Sequence, residues 1–298
     1  MAKPINVKYG ALNITIHPHD KNGDVYVEML NYLARKPIHV RAQDYVYMYG
    51  LKPINENNIS NGLQGTFVKC TKIELDKFFD TEIDDYTEIK EIEEAIPEGT
   101  FANARSFDFI FFPKKHLLVT EVKDNREAVS IHILAKFFEN AFQYKDVIAK
   151  FENLHVHVIP DPDQVEQLIK REKIIAIELK ITRPNPDDFD SVEKRLHAKM
   201  RKMKVEKIEE RYVSSRKEFI EPDDETKNKM RAAARNGKVE IKAIDEKGMT
   251  KKFSTEDIPF VANDKYDPDN SNQKDTLIRK ALEIFTKFNP FTGKLDDK

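Results

Sequence analysis

The sequence is poor in the residue types that mark several familiar classes of protein. It contains a single cysteine, Cys70, which excludes an internal disulfide and any zinc site built from several thiolates. Tryptophan is absent, and the nine glycines form neither of the common glycine-rich phosphate loops. No stretch approaches the roughly 18 consecutive apolar residues of a membrane-spanning helix, and the first residues contain no apolar run of the signal-peptide kind. These absences predict a cytoplasmic protein that folds without disulfides.

Charge is balanced overall but uneven along the chain. The 50 lysines and arginines and the 52 acidic residues give a formal net charge of −2, so total charge favours no class of partner. Residues 74–98 hold eleven acidic residues and two lysines, which predicts an acidic surface excursion. Residues 191–252 hold nineteen basic and twelve acidic residues, so the chain becomes basic towards its end.

Residues 106–123, SFDFIFFPKKHLLVTEVK, are the predicted centre of the fold. They are typical of two apolar strands joined by a turn at residues 113–116. Large apolar side chains fall on both faces, which indicates a hairpin that is buried on both sides. The position of the turn predicts that Phe112 pairs with Leu117.

This pairing places two carboxylates, those of Asp108 and Glu121, directly opposite each other, with Lys123 expected on the same face. Like charges in this position destabilise a strand pair by a few tenths to about 1 kcal/mol. The pattern resembles that of PD-(D/E)xK nucleases, in which two acids hold a magnesium or manganese ion and the lysine orients the nucleophile. The alternative is a structural hairpin end where Lys123 neutralises both acids.

The strongest candidate for binding is a basic surface in the second half of the chain. Residues 191–203 have helical periodicity, with Val192, Leu196, Met200 and Met203 on an apolar side. Exposed cations on a rigid helix are what phosphate contacts require. The alternative is a solvated face that nearby glutamates balance, namely Glu206, Glu209 and Glu210. The predicted nucleic-acid-binding residues are Lys194, Arg195, Lys199, Arg201, Lys202, Lys204, Arg216, Lys217, Arg231 and Arg235.

Two pairs of histidines have the spacing of possible metal ligands. His155 and His157 lie two residues apart on a predicted strand and so share a face, as His17 and His19 would if the first strand reached that far. Such a pair is compatible with metal ligation. Because no cysteine ligands and no HExxH motif accompany them, the sequence predicts no metal site and a strand whose histidines face outward.

Three tyrosines, Tyr45, Tyr47 and Tyr49, share one face of another predicted strand. Rings at this spacing can stack on the bases of a single-stranded nucleic acid. They also form aromatic ladders across neighbouring strands, and the sequence favours this structural interpretation.

The order of predicted elements indicates an α+β protein. Residues 1–152 are expected to form a domain with a mixed or antiparallel sheet and helices, and residues 153–298 a C-terminal α/β lobe with the basic surface. Within that lobe a strand, a helix and a strand, at residues 154–159, 164–173 and 174–182, predict a parallel strand pair joined by a crossover.

Five segments carry a resemblance to a known family. They are YGALNITIH at residues 9–17, FDFIFFPKKH at 107–116, ITRPNPDD at 181–188, AAARNGKVE at 232–240 and YDPDNS at 266–271. Over almost its full length the chain resembles the bacterial domain-of-unknown-function 4747 family. The Glu121 to Lys123 motif is not a fixed feature of that family, which lowers the support for a nuclease.

Two remote similarities imply a role in anti-phage defence. The order of IELKITRP, a basic helix and VEIKAIDEKGMTKKF is similar to that in RexA, the sensor of the phage-encoded Rex exclusion system. The hairpin and the following Phe-rich helix are similar to those of KwaB, the DNA-associated component of the Kiwa system. These similarities imply sequence-indifferent DNA binding, a homodimer and a second defence component, and they supply no catalytic residues.

The sequence therefore favours a nucleic-acid-binding protein over an enzyme. The predicted ligand is duplex DNA, the setting is phage exclusion or abortive infection, and no cofactor is expected. One alternative is a nuclease that uses Asp108, Glu121 and Lys123 and requires magnesium or manganese. Another is an adaptor whose acidic residues 74–98 dock a protein partner.

Overall fold

The computed structural model of the protein describes residues 3–17, 23–55, 62–74, 78–87, 96–123, 127–183, 191–215 and 218–287. In these ranges the helices are α1 Asp24–Leu33, α2 Ile131–Ala141, α3 Lys145–Phe151, α4 Pro162–Ile169, α5 Ser191–Met203, α6 Asp224–Arg235 and α7 Gln273–Lys287. The strands are β1 Ile5–His17, β2 Ile38–Arg41, β3 Asp44–Pro53, β4 Leu63–Thr71, β5 Phe78–Asp80, β6 Asp85–Thr87, β7 Ala102–Phe112, β8 Leu117–Lys123, β9 Asn153–Val158, β10 Ile174–Thr182, β11 Lys207–Val213, β12 Gly237–Ile244, β13 Thr250–Ser254 and β14 Ala262–Tyr266. Helices combined with antiparallel sheets confirm the predicted α+β class.

The larger of the two main sheets is built around β1. Its strands follow the order β14-β1-β8-β7-β4-β3-β2, and β9 also pairs with β1. All of these pairings are antiparallel. The predicted hairpin is confirmed as β7 and β8, with Phe112 opposite Leu117.

The two faces of β1 belong to different hydrophobic cores. Leu12 and Ile14 enter the first core, which α1 and α2 cover from one side of the sheet. Val7 and Tyr9 enter the second core, which α7 covers from the other side. Because side chains alternate along a strand, a strand buried on both faces must be apolar at consecutive positions, as β1 and the β7–β8 hairpin are.

The helix α2 begins where the sequence provides a cap. The Ser130 hydroxyl oxygen accepts a hydrogen bond from the His132 backbone N–H at 3.3 Å, and the apolar stripe that includes Leu134, Phe137 and Phe138 is fully buried. Among the described residues, no helix has the length and apolar character needed to cross a bilayer.

The smaller main sheet has the order β11-β10-β12-β13. Helices α4, α5 and α6 contribute apolar side chains to its core, which we call the third core. The opposite face of this sheet carries charged residues that pair across strands, such as Arg211 with Glu178 at 3.2 Å.

The prediction that the strands at residues 154–159 and 174–182 form a parallel pair is wrong. β9 pairs with β1, whereas β10 lies between β11 and β12 in the other sheet, and every one of these pairings is antiparallel. The reason is the length of β1, whose second half runs from Leu12 opposite Val158 to His17 opposite Asn153. This open stretch of β1 takes up β9, so β9 is not a partner for β10.

The division into domains at residues 152 and 153 stays a prediction. The two main sheets do not follow it one to one, since β9 and β14 from the second half of the chain both pair with β1. The isolated bridge between Pro160 and Pro259 connects the segments that follow β9 and precede β14.

We expect Gly237→Ala to lower the free energy of unfolding by about 1–3 kcal/mol, the usual cost of overpacking. A Cβ atom at Gly237 would lie 2.0 Å from the Lys180 carbonyl oxygen, and backbone cannot move aside as a flexible side chain can. Urea unfolding measures the change.

The matched control is Gly248→Asn. Gly248 has φ of +77° and no atom within 4 Å of an added Cβ, and asparagine tolerates this left-handed conformation. If both variants unfold at the wild-type urea concentration, close packing of β12 on β10 at Gly237 is contradicted.

Candidate nucleic-acid interface and neighbouring polar sites

The helix α5 lies on the smaller main sheet with its apolar side buried. Val192, Leu196 and Met200 are 8%, 6% and 0% exposed. Met203, which the sequence places on the same side, is 58% exposed because it lies in the last turn, beyond the third core. Apart from Met203, the apolar side of α5 is as predicted.

The outer side of α5 and the residue that follows it carry a set of cations that we call the α5 surface. All six side chains are exposed, and within the described ranges no ion pair joins any of them to a carboxylate. They are Lys194, Arg195, Lys199, Arg201, Lys202 and Lys204. Apart from Lys199, which also acts electrostatically on Glu210, the structure thus leaves their charge available to a ligand.

A buried carboxylate, Glu193, fixes α5 to its neighbour α6. Glu193 is 2% exposed and accepts a hydrogen bond from the Asn236 side-chain amide at 2.9 Å. Arg235 supplies the positive charge, with Nη1 3.4 Å from a Glu193 oxygen. Loss of one partner from a buried ion pair leaves an unpaired charge, so this contact holds the helix firmly.

Two of the predicted binding residues serve the protein itself. Arg231 makes a two-pronged contact with Glu166, at 2.6 Å from Nε and 2.9 Å from Nη2, and it lowers the pKa of that carboxyl. Arg235 is engaged by Glu193, as described above. Both arginines therefore connect helices, whereas Arg216 and Lys217 lie outside the described residues.

The glutamates expected to balance the basic helix have other partners. Glu209 pairs with Lys180 and Lys207 on the sheet, and Glu210 pairs with Lys229 at 3.2 Å. Glu206 accepts a hydrogen bond from the Asn153 amide at 2.6 Å. One cation of the α5 surface does act on them: although burial opposes it, hydrogen bonds from Tyr212 and Lys229 lower the pKa of Glu210, and the charge of Lys199 adds to this effect.

The two acids of the hairpin lie next to each other. The pairing of β7 with β8 runs as far as Phe109 and Thr120, and just beyond it the Asp108 backbone N–H donates to Glu121 Oε2 at 3.2 Å. The Gln273 side-chain amide, from α7, donates to the same oxygen at 2.8 Å. Glu121 is only 3% exposed, so this carboxylate lies beneath α7.

Lys123, however, is turned away from both acids. Tyr9 pairs with Glu121 while Lys8 pairs with Lys123, so one extra residue of β8 forms a β-bulge between the two pairs. Tyr9 and Lys8 point to opposite faces of β1, and therefore Glu121 and Lys123 do so as well. The prediction that Lys123 shares the face of Glu121 is wrong for this reason.

The acid pair also fits a divalent metal poorly. Asp108 Oδ1 accepts a hydrogen bond from the Thr66 hydroxyl at 2.6 Å, and Glu121 Oε2 already has two donors. Within the part of the chain that the structure describes, no group of three or more His, Cys, Asp or Glu side chains is arranged for a metal ion. The geometry favours a structural role for these carboxylates.

Three histidines meet on the face of β1 and β9 that points towards the smaller main sheet. The rings of His17 and His155 lie 6.0 Å apart between centroids, and those of His155 and His157 lie 6.5 Å apart. The expectation that His155 and His157 face outward is wrong, because they lie at the junction of the two sheets. His19 lies outside the described residues.

His157 makes a defined hydrogen bond at this junction. The Thr182 hydroxyl donates to the Asn236 carbonyl at 2.7 Å, so its oxygen accepts from His157 Nε2, at 2.9 Å. Burial, followed by the effect of His155, lowers the pKa of His157 to about 4. The ring is therefore neutral near pH 7.

The three tyrosines of β3 each contact another aromatic ring. Tyr47 and Tyr49 lie 6.2 Å apart between ring centroids, and Tyr45 packs against Phe101 and His39, each at 5.1 Å. Of these contacts, the one between Tyr45 and His39 joins paired strands, whereas Tyr47 and Tyr49 are neighbours on one face of β3.

A second cationic feature, which the sequence did not reveal, is a groove at one end of the larger main sheet. We call it the lysine groove; it has a volume of about 740 Å³. It is lined by Asn6, Val7, Lys8, Lys123, Asn263, Asp264 and Lys265. Its lysines are far apart in the chain, so only the pairing of β1 with β8 and β14 brings them together.

We expect the free energy of unfolding to fall by roughly 3 kcal/mol from His157 alone between pH 6.5 and pH 4. The pKa of His157 in the folded protein, about 4, lies below its ordinary value of 6.5. The unfolded chain therefore binds more protons in this window, and stability is lost as the pH falls. Urea unfolding at several pH values measures the slope.

His157→Gln is the matched variant, since glutamine keeps a donor for the Thr182 hydroxyl but does not titrate. Its stability should depend less on pH than that of the wild type in the same window. Equal slopes for the two proteins would contradict a half-buried, neutral histidine at this junction.

Comparison with known proteins gives one family. The sequence matches the family described as "Domain of unknown function (DUF4747)" over residues 5–282, which run from the start of β1 into α7. No curated protein matches the chain. The similarities to RexA and KwaB stay predictions. Because the matched residues include both main sheets and the α5 surface, the chain as a whole belongs to the DUF4747 family.

Proposed function

We propose that the protein binds nucleic acid, and duplex DNA in particular, through phosphate contacts made by the α5 surface. The observation that carries this proposal is the row of six exposed cations, none of which has an ion-pair partner among the described carboxylates. Phosphate contacts position a protein on DNA and require no reading of base edges. Sequence-indifferent binding is the expected result.

The position of the cations along α5 supports a ligand rather than helix stability. Arg201 and Lys202 lie in the last turn, where positive charge complements the helix dipole. Lys194 and Arg195 lie near the start of the helix, where the dipole opposes positive charge. Helix stability therefore does not account for Lys194 and Arg195, whereas a polyanionic ligand along the whole helix does.

The anchoring of α5 supports the same conclusion. Val192, Leu196 and Met200 bury its apolar side, and Glu193 joins it to Arg235 and Asn236 of the neighbouring segment. A helix held in this way fixes the backbone positions of its cations, so only their side chains lose entropy on binding. Six phosphate contacts would give a slope of about −5 in a plot of log K against log salt concentration.

The proposal includes a cytosolic role in anti-phage defence, as a homodimer that acts with a second component. The support for this setting is the similarity in the order of elements to RexA and KwaB. Metal-dependent cleavage at Asp108 and Glu121 is the competing function, and the opposed carboxylates are the observation in its favour. The turned-away Lys123 weighs against it.

We expect reversal of three charges, in Arg195→Glu/Lys199→Glu/Lys202→Glu, to weaken binding of duplex DNA and to reduce the salt slope by about 3. The three side chains are exposed, so the melting temperature should stay near that of the wild type. Fluorescence anisotropy with labelled duplex over a salt series, with and without magnesium or manganese, measures both quantities.

The control variant reverses three scattered exposed lysines, in Lys114→Glu/Lys145→Glu/Lys170→Glu, and so changes the net charge equally. It should keep most of the affinity and the full slope. Equal losses in both variants would mean that net charge alone drives binding, and unchanged affinity in the first would remove the α5 surface as the site. Cleavage of the duplex that needs metal and disappears in Glu121→Ala would favour the nuclease instead.

A further inference from the structure

We propose that the lysine groove is a second ligand site, which binds a phosphate ester carrying at least two negative charges. It lies where β14, β1 and β8 run side by side, and it is separate from α5 in the fold. The proposal goes beyond DNA binding by the α5 surface and does not depend on it.

The register of the three strands brings the cations to one face. Lys8 pairs with Lys123 on one side and with Asn263 on the other, and Asn6 pairs with Lys265. Paired residues of antiparallel strands share a face, and Asn6 and Lys8 are two apart on β1. Three ammonium groups and two side-chain amides therefore border the same groove.

The pairing of Lys8 with Lys123 is unfavourable by itself. Like charges directly opposite each other destabilise a strand pair. The β-bulge creates this pair, because in a regular ladder continued from Tyr9 and Glu121, Lys123 would pair with Val7 and lie on the face of Glu121. Bulges that re-aim a side chain are common beside functional sites, and an anion between the two lysines would turn repulsion into attraction.

The charge of the groove is not compensated by the described parts of the protein. Asp264 is the acid in its lining, and it pairs with Arg279 of α7 at 2.5 Å. No ion pair joins Lys8, Lys123 or Lys265 to a carboxylate in the described ranges. The groove therefore presents about three positive charges to a ligand.

These features select the chemical class of the ligand. Lysine ammonium groups are common phosphate binders, and amide side chains can hydrogen-bond ester oxygens or hydroxyls. A volume of about 740 Å³ is in the range of small-molecule sites and exceeds the needs of a single small anion. A diphosphate, a triphosphate or two neighbouring phosphates of a nucleic acid would match three lysines.

The test uses pyrophosphate as the probe, with isothermal titration calorimetry and thermal melting of the full chain. Pyrophosphate should bind the wild type and raise its melting temperature, because a ligand of the folded state stabilises it. In Lys8→Gln/Lys123→Gln/Lys265→Gln the affinity should fall at least about tenfold. The control Lys114→Gln/Lys145→Gln/Lys170→Gln should bind as the wild type does.

A single variant gives an independent readout that does not require a ligand. Lys123→Gln removes the repulsion between paired lysines, so at low salt and without pyrophosphate its melting temperature should rise. With pyrophosphate present its gain in melting temperature should be smaller than that of the wild type. A fall in melting temperature without the probe would contradict the repulsive pair.

Further arms separate the source of the phosphate and the two sites. If the groove contacts the DNA backbone, the Lys8→Gln/Lys123→Gln/Lys265→Gln variant also loses affinity for a 20-base-pair duplex. If the groove instead binds a free phosphate ester, that variant binds the duplex as the wild type does, and a nucleoside triphosphate competes with pyrophosphate for the wild type. The Arg195→Glu/Lys199→Glu/Lys202→Glu protein should still bind pyrophosphate, whether or not it binds duplex. Absence of pyrophosphate binding, or equal affinity in the triple groove variant, overturns the proposal.

Discussion

The double burial of β1 is the constraint on which the rest of the structure depends. Leu12 and Ile14 face the core under α1 and α2, while Val7 and Tyr9 face the core under α7. The strand is long enough to pair with β8 on one edge and with both β14 and β9 on the other. Its alternation and length therefore fix the positions of two helical layers and of strands from both halves of the chain.

The same strand also positions the smaller main sheet. Beyond Ala11 the apolar residues on one face give way to polar ones, and His17 donates to the Arg183 carbonyl at 3.1 Å. His157 of β9 donates a hydrogen bond to the Thr182 hydroxyl at the end of β10, and Thr182 donates one to the Asn236 carbonyl just before β12. Asn236 in turn holds Glu193 of α5, so a chain of hydrogen bonds connects β9 with the helix that carries the cations.

The sequence predicted features that depend on neighbouring residues and missed those that depend on distant ones. The turn and the apolar residues around it set the pairing of Phe112 with Leu117, and the apolar stripe of α5 set which side of that helix is buried. The bulge at Lys123 arises from the pairing of β8 with β1, over a hundred residues away, and no local pattern indicates it. The sequence predicted that Arg231 binds nucleic acid, because its ion-pair partner, Glu166, lies on a helix far earlier in the chain and no local pattern links the two.

The pairing of β1 with β14 has a consequence for how the chain folds during synthesis. Ile5 lies opposite Tyr266, so the first half of this edge of β1 stays unpaired until β14 has left the ribosome, whereas β9 can pair with the second half earlier. Contacts between such distant residues require closure of a very long loop, which slows folding. The α7 side of β1, with Val7 and Tyr9, is exposed in the interval. An unpaired apolar strand edge is prone to association with other chains. β14 and α7, which are synthesised after the other elements of this sheet, therefore protect β1 from such association once they pack on it.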